Sequence, residues 1–220
     1  MKVLIVGANG KVGTLLSGIL WGSSGFSPIA LIRDIAQQPK FTALGVPSLV
    51  GDLENGISEL LPGLDALVFT AGSGGHTGPE KTIDVDQNGA IRLIEDCEKV
   101  GLKRFIMISA IGADPKSKSP RIQHYLRAKG VADLALRNSS LDYTIIAPGT
   151  LTNEKSTGFV QVANRLGNHG NLPREDLAYC IVESLRNFNT IKSSFEIVSG
   201  RKKIKDSIND LVGVSLPPIV

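Results

Sequence analysis

Apolar residues occur along the chain in short continuous runs, which alternate with segments where they recur at helical spacing. The first run, Lys2–Val6, is branched and bounded by glycine, which is typical of a strand buried on both faces. Similar runs predict strands over 28–33, 48–50, 65–70, 103–109, 142–147 and 194–198. Helices are predicted over 11–20, 35–44, 82–100, 121–138 and 174–186, with an irregular segment over 150–171 and a short terminal helix.

This alternation of strands and helices determines the predicted fold class. Parallel strands need crossover connections, and right-handed crossovers place helices on both faces of the sheet. The sequence predicts one α/β domain over 1–220, a doubly wound parallel sheet, because no repeat or linker divides the chain. Segments 150–172 and 200–220 are expected as substrate-side and C-terminal additions, forming a small region that covers the substrate.

Composition narrows the classes of partner. The basic cluster over 201–205 is short and is interpreted as a solvated turn. Because the net charge is also only +3, we expect that nucleic acid is not a partner. Cys97 and Cys180 lack metal-ligand spacing and are expected as buried thiols in a reducing compartment. No apolar run approaches the roughly twenty residues of a membrane span, and the first strand starts at residue 2, so we expect a cytoplasmic protein.

The turn after the first strand carries three glycines at G-x-x-G-x-x-G spacing. Gly7 suits a tight turn, Gly10 lets the backbone approach a pyrophosphate, and Gly13 allows close packing of the following helix. The free amides at the start of that helix would face the phosphates. The pattern predicts a dinucleotide site that also includes Asn9, Lys11 and Val12, although a purely structural turn has the same spacing.

Ligands of such sheets bind outside the carboxyl ends of the strands, so the residues that follow each strand are the candidates. They are Arg33, Asp52 with Leu53, Ala71 with Gly72, Ser109, and Pro148 with Gly149. His76, Arg174 and Asp176 are weaker candidates, with a surface histidine and helix caps as the alternatives.

Arg33, at the tip of the second strand, bears on the choice of coenzyme. A guanidinium there pairs with the 2′-phosphate of NADP, and Lys11 is a second phosphate contact. Asp34 leaves NAD open, because a carboxylate at this tip binds an unphosphorylated ribose. Asp52 either accepts from the adenine amino group or caps a helix. We expect NADP, with NAD as the alternative.

A Tyr-x-x-x-Lys pattern on the helix over 121–138 supplies candidate chemistry. Tyr125 lies sixteen residues after Ser109, and Lys129 lies one turn further along on the same helix face. A nearby ammonium lowers the pKa of a tyrosine, so the pair is expected to make a phenolate available for proton transfer. The alternative is a half-buried tyrosine beside a solvated lysine.

Together these motifs resemble the short-chain dehydrogenase/reductase superfamily, and within it the atypical, extended-like branch of NAD(P)-binding, epimerase/dehydratase-like proteins. The resemblance implies a Rossmann fold, with Tyr125 as general acid/base, Lys129 as its activator and ribose clamp, and Ser109 as partner of the substrate oxygen. It also places Pro148 and Gly149 against the nicotinamide. The motifs that carry it, in chain order, are the glycine loop, Arg33–Asp34, Gly51–Asp52, 68–72, Ser109, Tyr125 with Lys129, 142–149 and 174–178.

Two departures from the family pattern leave two functions open. Ala110 stands where the family often has its catalytic hydroxyl, and Asp86 stands where the asparagine of the catalytic tetrad is expected. We expect an NADP-dependent oxidoreductase acting on a small carbonyl or alcohol, because the C-terminal part is too short to enclose a sugar nucleotide. The alternative is a non-catalytic NADP(H)-binding regulator. The assembly state is left open, with a homodimer as one option.

Overall fold

The structure is a computed structural model that describes residues 1–72, 78–167 and 169–211. The strands are β1 (Lys2–Val6), β2 (Ser27–Ile32), β3 (Ser48–Val50), β4 (Ala66–Phe69), β5 (Arg104–Ile108), β6 (Asp142–Pro148), β7 (Thr150–Thr152), β8 (Phe159–Ala163), β9 (Asn171–Pro173), β10 (Ser193–Ser199) and β11 (Lys202–Lys203). The helices are α1 (Lys11–Trp21), α2 (Gln38–Ala43), α3 (Pro79–Thr82), α4 (Ala90–Val100), α5 (Gln123–Asn138), α6 (Arg174–Arg186) and α7 (Ile204–Asn209).

Seven of the strands form the parallel sheet that the sequence predicts. Their order is β3-β2-β1-β4-β5-β6-β10, and every neighbouring pair among them is parallel. Strand order reverses between β1 and β4, which is the switch point of a Rossmann-type doubly wound sheet. The expected α/β fold is therefore confirmed, and the carboxyl ends of β1 and β4 flank the crevice where ligands of this fold bind.

Helices cover both faces of the sheet, because successive side chains of each buried strand point to opposite faces. Val3 and Ile5 of β1 pack in the core beneath α1 and α6, whereas Leu4 and Val6 pack in the core beneath α4 and α5. The two cysteines are buried and free, as predicted, and burial raises the pKa of Cys97 to about 12. Within the described ranges, no helix is both long and apolar enough to cross a membrane.

The segment over 150–171 is not irregular, contrary to the expectation from the sequence. It contains β7 and β8, and β7 pairs in parallel with β9 in a small second sheet. β8 extends the main sheet by antiparallel pairing with β10, and Ile197 lies opposite Val162. Five residues with only one fully buried side chain, Val160, give too weak a local pattern for a strand, so distant pairing determines this element.

The helix predicted over 82–100 begins earlier, at Pro79, and changes form along its length. Between α3 and α4 the residues Ile83–Gly89 form a π-helix. A π-helix inserts extra residues into the turn and redirects side chains, and such segments are frequent at functional sites. Here it contains the fully buried Asp86. Most other predicted bounds differ by one or two residues from those observed.

Candidate functional site

Two cavities lie at the carboxyl ends of the parallel strands and meet at residues 70–72. The glycine-loop cavity has a volume of about 340 Å³, and Gly7, Asn9, Gly10 and Arg33 are among its lining residues. The tyrosine cavity has a volume of about 620 Å³ and is lined by Tyr125, Lys129, Ser109 and Asp86, among others. Thr70, Ala71 and Gly72 line both cavities, so a ligand can extend from one into the other.

The glycine loop is shaped by close backbone contacts that leave no room for side chains. Gly7 has φ +81°, and a Cβ atom on it would lie 2.5 Å from the amide nitrogen of Ala71. A Cβ atom on Gly13 would lie 2.4 Å from the carbonyl oxygen of Gly7, so α1 packs directly on the turn. Gly10 is the N-cap of α1, and because glycine has no side chain, no side-chain hydrogen bond caps the first amides of this helix. The first turn of α1 also has no acidic residue, and its amides suit an anion.

We expect Gly7→Ala to destabilise the protein by about 2–3 kcal/mol, because the variant combines an unfavourable φ with a backbone clash. Gly25→Ala is the matched control: Gly25 has φ +87°, but a Cβ atom there would meet nothing within 4 Å. Its cost should be only the φ term of about 1 kcal/mol. Urea denaturation measures both values. Equal costs would show that the contact with Ala71 does not constrain the loop.

Arg33 and the neighbouring acidic residues have different surroundings at the tip of β2. Arg33 is exposed and lines the glycine-loop cavity together with Gln37. The Asp34 carboxylate accepts a hydrogen bond of 2.9 Å from the amide of Ala36 and caps the short 3₁₀ helix that follows. Of the two residues the sequence singled out at this tip, Arg33 lines the cavity and Asp34 caps a helix.

Asp52 and Leu53, which follow the neighbouring strand β3, also line the glycine-loop cavity. One carboxylate oxygen of Asp52 accepts a hydrogen bond of 3.0 Å from the amide of Glu54, so this residue caps a turn while it lines the cavity. The next residue, Glu54, forms an ion pair with Lys81 at the start of the long helix. Lys81 also lines the cavity, and its contribution is not apparent from the sequence.

Lys11 lies at the first position of α1 and faces a separate groove that it shares with Asn9 and Lys40. The ammonium of Lys40 donates to both the carbonyl oxygen and the side-chain oxygen of Asn9, over 3.1 and 3.0 Å. Lys40 thereby braces the glycine loop from α2. Sequence reasoning missed this residue because 31 positions separate the two partners and no motif links them.

Helix α5 carries Tyr125 and Lys129 into the second cavity. A Cβ atom on Gly130 would lie 2.4 Å from the carbonyl carbon of Asp114, so a glycine at this position lets α5 press against the loop after β5. Pro148 and Gly149 close the cavity at the end of β6, and Val12 lines it from α1. Helix α5 thus holds these two candidate side chains against the sheet.

Lys129 is almost fully buried and its ammonium has several fixed contacts. It lies 3.2 Å from a carboxylate oxygen of Asp86, and it donates to the carbonyl oxygen of Ile108 over 3.0 Å. It also lies 3.5 Å from the carbonyl oxygen of Ala71. Burial alone would lower the pKa of Lys129, but the neighbouring Tyr125 and Asp86 raise it overall. Lys129 is therefore a buried cation paired with Asp86.

The pKa of Tyr125 is raised, which corrects the expectation that Lys129 makes a phenolate available. Burial has the largest effect, and the carboxylates of Asp86 and Asp133 add to it, while Lys129 opposes it. The ammonium does not outweigh burial and the two carboxylates, and its charge is also paired with Asp86 at 3.2 Å. Near neutral pH Tyr125 is thus a protonated phenol, which can donate a proton to an oxygen in the cavity.

Ser109 at the end of β5 has a partner that sequence reasoning missed. Its hydroxyl donates a hydrogen bond of 2.6 Å to a carboxylate oxygen of Asp133, and both residues are buried. Burial raises the pKa of Asp133 to about 6, although Ser109, Arg137 and Lys129 each lower it. Asp133 lies four positions after Lys129 on α5, so its place on the same helix face was the available signal.

The remaining candidates are Arg174, Asp176, His76 and the two segments, 150–172 and 200–220, that are expected to cover the substrate. Asp176 holds the turn over 156–158 through hydrogen bonds from the amides of Thr157 and Gly158, and Arg174 donates to Asn153. Thr150, Leu151 and His169 line the tyrosine cavity, whereas residues 200–211 do not. His76 and residues 212–220 lie outside the described residues.

Comparison with known proteins gives a matching family and several similar proteins. The family described as NAD(P)H-binding matches residues 7–188. A Bacillus subtilis protein named uncharacterized sugar epimerase YhfK is 38% identical, over 96% of this chain and all of its own length. A solved Bacillus halodurans protein, described as a candidate NAD-dependent epimerase/dehydratase, is 43% identical with a TM-score of 0.89 and covers 94% of this chain and 98% of its own. The oxidoreductase ylbE from Lactococcus lactis is 30% identical with a TM-score of 0.84 and covers 96% of each chain.

Proposed function

Because the chain belongs to the NAD(P)H-binding family, we propose that it is an NADP-dependent oxidoreductase acting on a small carbonyl or alcohol compound. Its relatives carry the names of epimerases and oxidoreductases, which supports a redox role in general terms. The observation that carries the proposal is the junction of the two cavities at residues 70–72. One cavity offers a glycine loop and a helix N-terminus, and the other offers a phenol, an ammonium and a serine.

The residues present fit a dinucleotide along this crevice. The turn around Gly7 leaves no side chain between the backbone and a ligand, and the amides of α1 provide donors for a pyrophosphate. Lys129, Pro148 and Gly149 line the tyrosine cavity. In the proposed complex the Lys129 ammonium donates to a ribose hydroxyl, and Pro148 and Gly149 offer an uncharged wall to a flat ring. When bound, a nicotinamide coenzyme would supply or accept the hydride.

The proposed catalytic role of Tyr125 is proton transfer. A phenol with a raised pKa stays protonated at neutral pH, so Tyr125 donates to the oxygen of a carbonyl substrate and regains its proton from water. The protonated phenol suits proton donation to a carbonyl oxygen, which is the step that reduction requires. The cavity of about 620 Å³ must hold the reactive end of the coenzyme as well as the substrate, so the substrate is small.

The proposal of NADP rather than NAD rests on the residues at the tip of β2. Arg33 lines the cavity where the adenosine ribose would lie, and the Asp34 carboxylate that would bind an unphosphorylated ribose caps a helix instead. A guanidinium forms strong bidentate hydrogen bonds with a phosphate and offers nothing comparable to a ribose hydroxyl. Arg33 is thus the residue we assign to the choice between the two coenzymes.

We expect Arg33→Ala to weaken NADPH binding about 10- to 100-fold, because the variant loses charge-assisted hydrogen bonds to the 2′-phosphate. NADH has no such phosphate, so its binding should change less than about 2-fold. Isothermal titration calorimetry with each coenzyme measures both constants. Arg92→Ala, which removes an exposed arginine from α4, is the matched control and should leave both unchanged. Equal weakening of both coenzymes in Arg33→Ala would refute the assignment to the 2′-phosphate.

A non-catalytic NADP(H)-binding regulator is the second candidate, and a specific observation favours it. Lys129 is paired with Asp86 and the Ser109 hydroxyl is bound to Asp133, so two of the catalytic groups already have protein partners. The regulator predicts tight NADPH binding without any carbonyl-dependent oxidation of NADPH. A screen of aldehydes, ketones and quinones followed at 340 nm decides between them, because turnover with any compound excludes a purely regulatory role.

A further inference from the structure

The hydrogen bond between Ser109 and Asp133 joins the tyrosine cavity to a second, smaller space. Ser109 lines the tyrosine cavity, whereas Asp133 lines a neighbouring side cavity of about 360 Å³. The two oxygens are 2.6 Å apart and both residues are almost fully buried. Because an ionised carboxylate has no proton, the hydrogen of this bond belongs to Ser109 whenever Asp133 is charged.

The second carboxylate oxygen of Asp133 has no hydrogen-bond partner among the described residues, although it is buried. A buried carboxylate with an unused oxygen is a group whose charged form is weakly supported by its surroundings. The titratable and charged groups around it are Tyr125, Lys129 and Arg137 on α5 and, across the side cavity, Asp114, Arg165, His169 and Glu196.

We propose that Asp133 is a positioning residue that decides whether the Ser109 hydroxyl can donate a hydrogen bond into the tyrosine cavity. The inference rests on the proposed oxidoreductase function, for which Ser109 would contact the reacting oxygen of the substrate. Nothing in the family match or in the named relatives assigns a role to Asp133. We assign this role to Asp133 because it lies behind Ser109, on the helix that also carries Tyr125 and Lys129.

The two protonation states of Asp133 prepare the cavity for opposite directions of reaction. When Asp133 is ionised, the Ser109 proton points away from the cavity, and only oxygen lone pairs face the substrate. This arrangement accepts a hydrogen bond from an alcohol. When Asp133 is protonated, it donates to Ser109, and the Ser109 proton is released to donate to a carbonyl oxygen. Burial places the pKa of Asp133 at about 6, so the change falls within the working range of most proteins.

The first test is the pH dependence of kcat/KM for carbonyl reduction between pH 5 and 8. We expect the rate to rise about tenfold as the pH falls through about 6, the factor that one hydrogen bond supplies. Alcohol oxidation should fall over the same range. Asp133→Asn can donate from its amide at every pH. Its reduction rate should therefore stay near the high value at all pH values, without the pH-dependent limb near pH 6. An unchanged limb in Asp133→Asn overturns the proposal.

Asp114→Asn is the matched control, because Asp114 lines the same side cavity while its carboxylate accepts from the amide of Lys116. An amide oxygen can make the same bond, so this variant should keep the limb of the unmodified protein. Loss of the limb in both variants would assign it to the general charge of the side cavity and would also overturn the proposal.

A second measurement tests the inference without any turnover. The side-chain carbon of Asp133, followed by NMR in the coenzyme-free protein, should titrate near pH 6, and Ser109→Ala should raise the midpoint because the hydroxyl stabilises the carboxylate. An unshifted midpoint overturns the proposal. If the midpoint shifts but no coenzyme binds, the hydrogen bond stands and the oxidoreductase function fails, so the two failures are distinguishable.

Discussion

Tyr125→Phe is expected to reduce kcat for carbonyl reduction about 10³-fold and to leave the dissociation constant of NADPH within about 2-fold. The substitution removes only the phenolic oxygen, which is the proposed proton donor in the cavity, and it keeps the ring that packs beside Lys129. Because the pKa of Tyr125 is raised above its usual value near 10, the phenol should remain a donor throughout the neutral range. Steady-state oxidation of NADPH and a fluorescence titration of the coenzyme measure the two quantities.

Tyr179→Phe provides the control, since Tyr179 is exposed on α6 and does not line the tyrosine cavity. It should retain full turnover and full coenzyme affinity. Normal turnover in Tyr125→Phe would remove the phenol from the mechanism, whereas a parallel loss of coenzyme binding would mean that the residue supports the site rather than the chemistry.

The elements that could be predicted from the sequence are those whose signal is local. The branched run Lys2–Val6 is buried on both faces in the structure, and Gly7 and Gly13 of the following turn occupy positions where a Cβ atom would clash. Such features depend on neighbouring residues and on backbone conformation, so they are visible in the chain itself. The same holds for Tyr125 and Lys129, whose four-residue spacing alone puts them on one face of α5.

What could not be predicted depends on contacts between distant residues. β8 forms because β10, more than thirty residues later, offers an open edge, and Lys40 reaches Asn9 across 31 positions. The pKa of Tyr125 is the clearest case. The sequence gives the neighbouring lysine, but burial and the carboxylates of Asp86 and Asp133 reverse the expected direction. The Tyr-x-x-x-Lys motif alone does not show which other charged groups lie near the tyrosine in the folded protein.

The buried pair of Lys129 and Asp86 has the largest expected effect on stability. We expect Lys129→Met to lower the free energy of unfolding by about 3–5 kcal/mol, because it fills the same space but leaves a fully buried carboxylate without its cation. Adding Asp86→Asn to Lys129→Met removes that charge, and the double variant should recover more than half of the loss. Urea denaturation of the two single variants and the double variant gives the interaction energy between the residues.

Lys99 and Asp96 form a second ion pair on the same side of the protein, at 3.8 Å, but the Lys99 side chain is 70% exposed. Lys99→Met should therefore cost less than about 0.5 kcal/mol, because water and salt screen an exposed pair. This contrast isolates burial as the cause of the larger loss. If Lys129→Met costs no more than Lys99→Met, then burial does not strengthen the ion pair between Lys129 and Asp86. The close packing of Lys129 against the sheet would then contribute to the site through geometry rather than through stability.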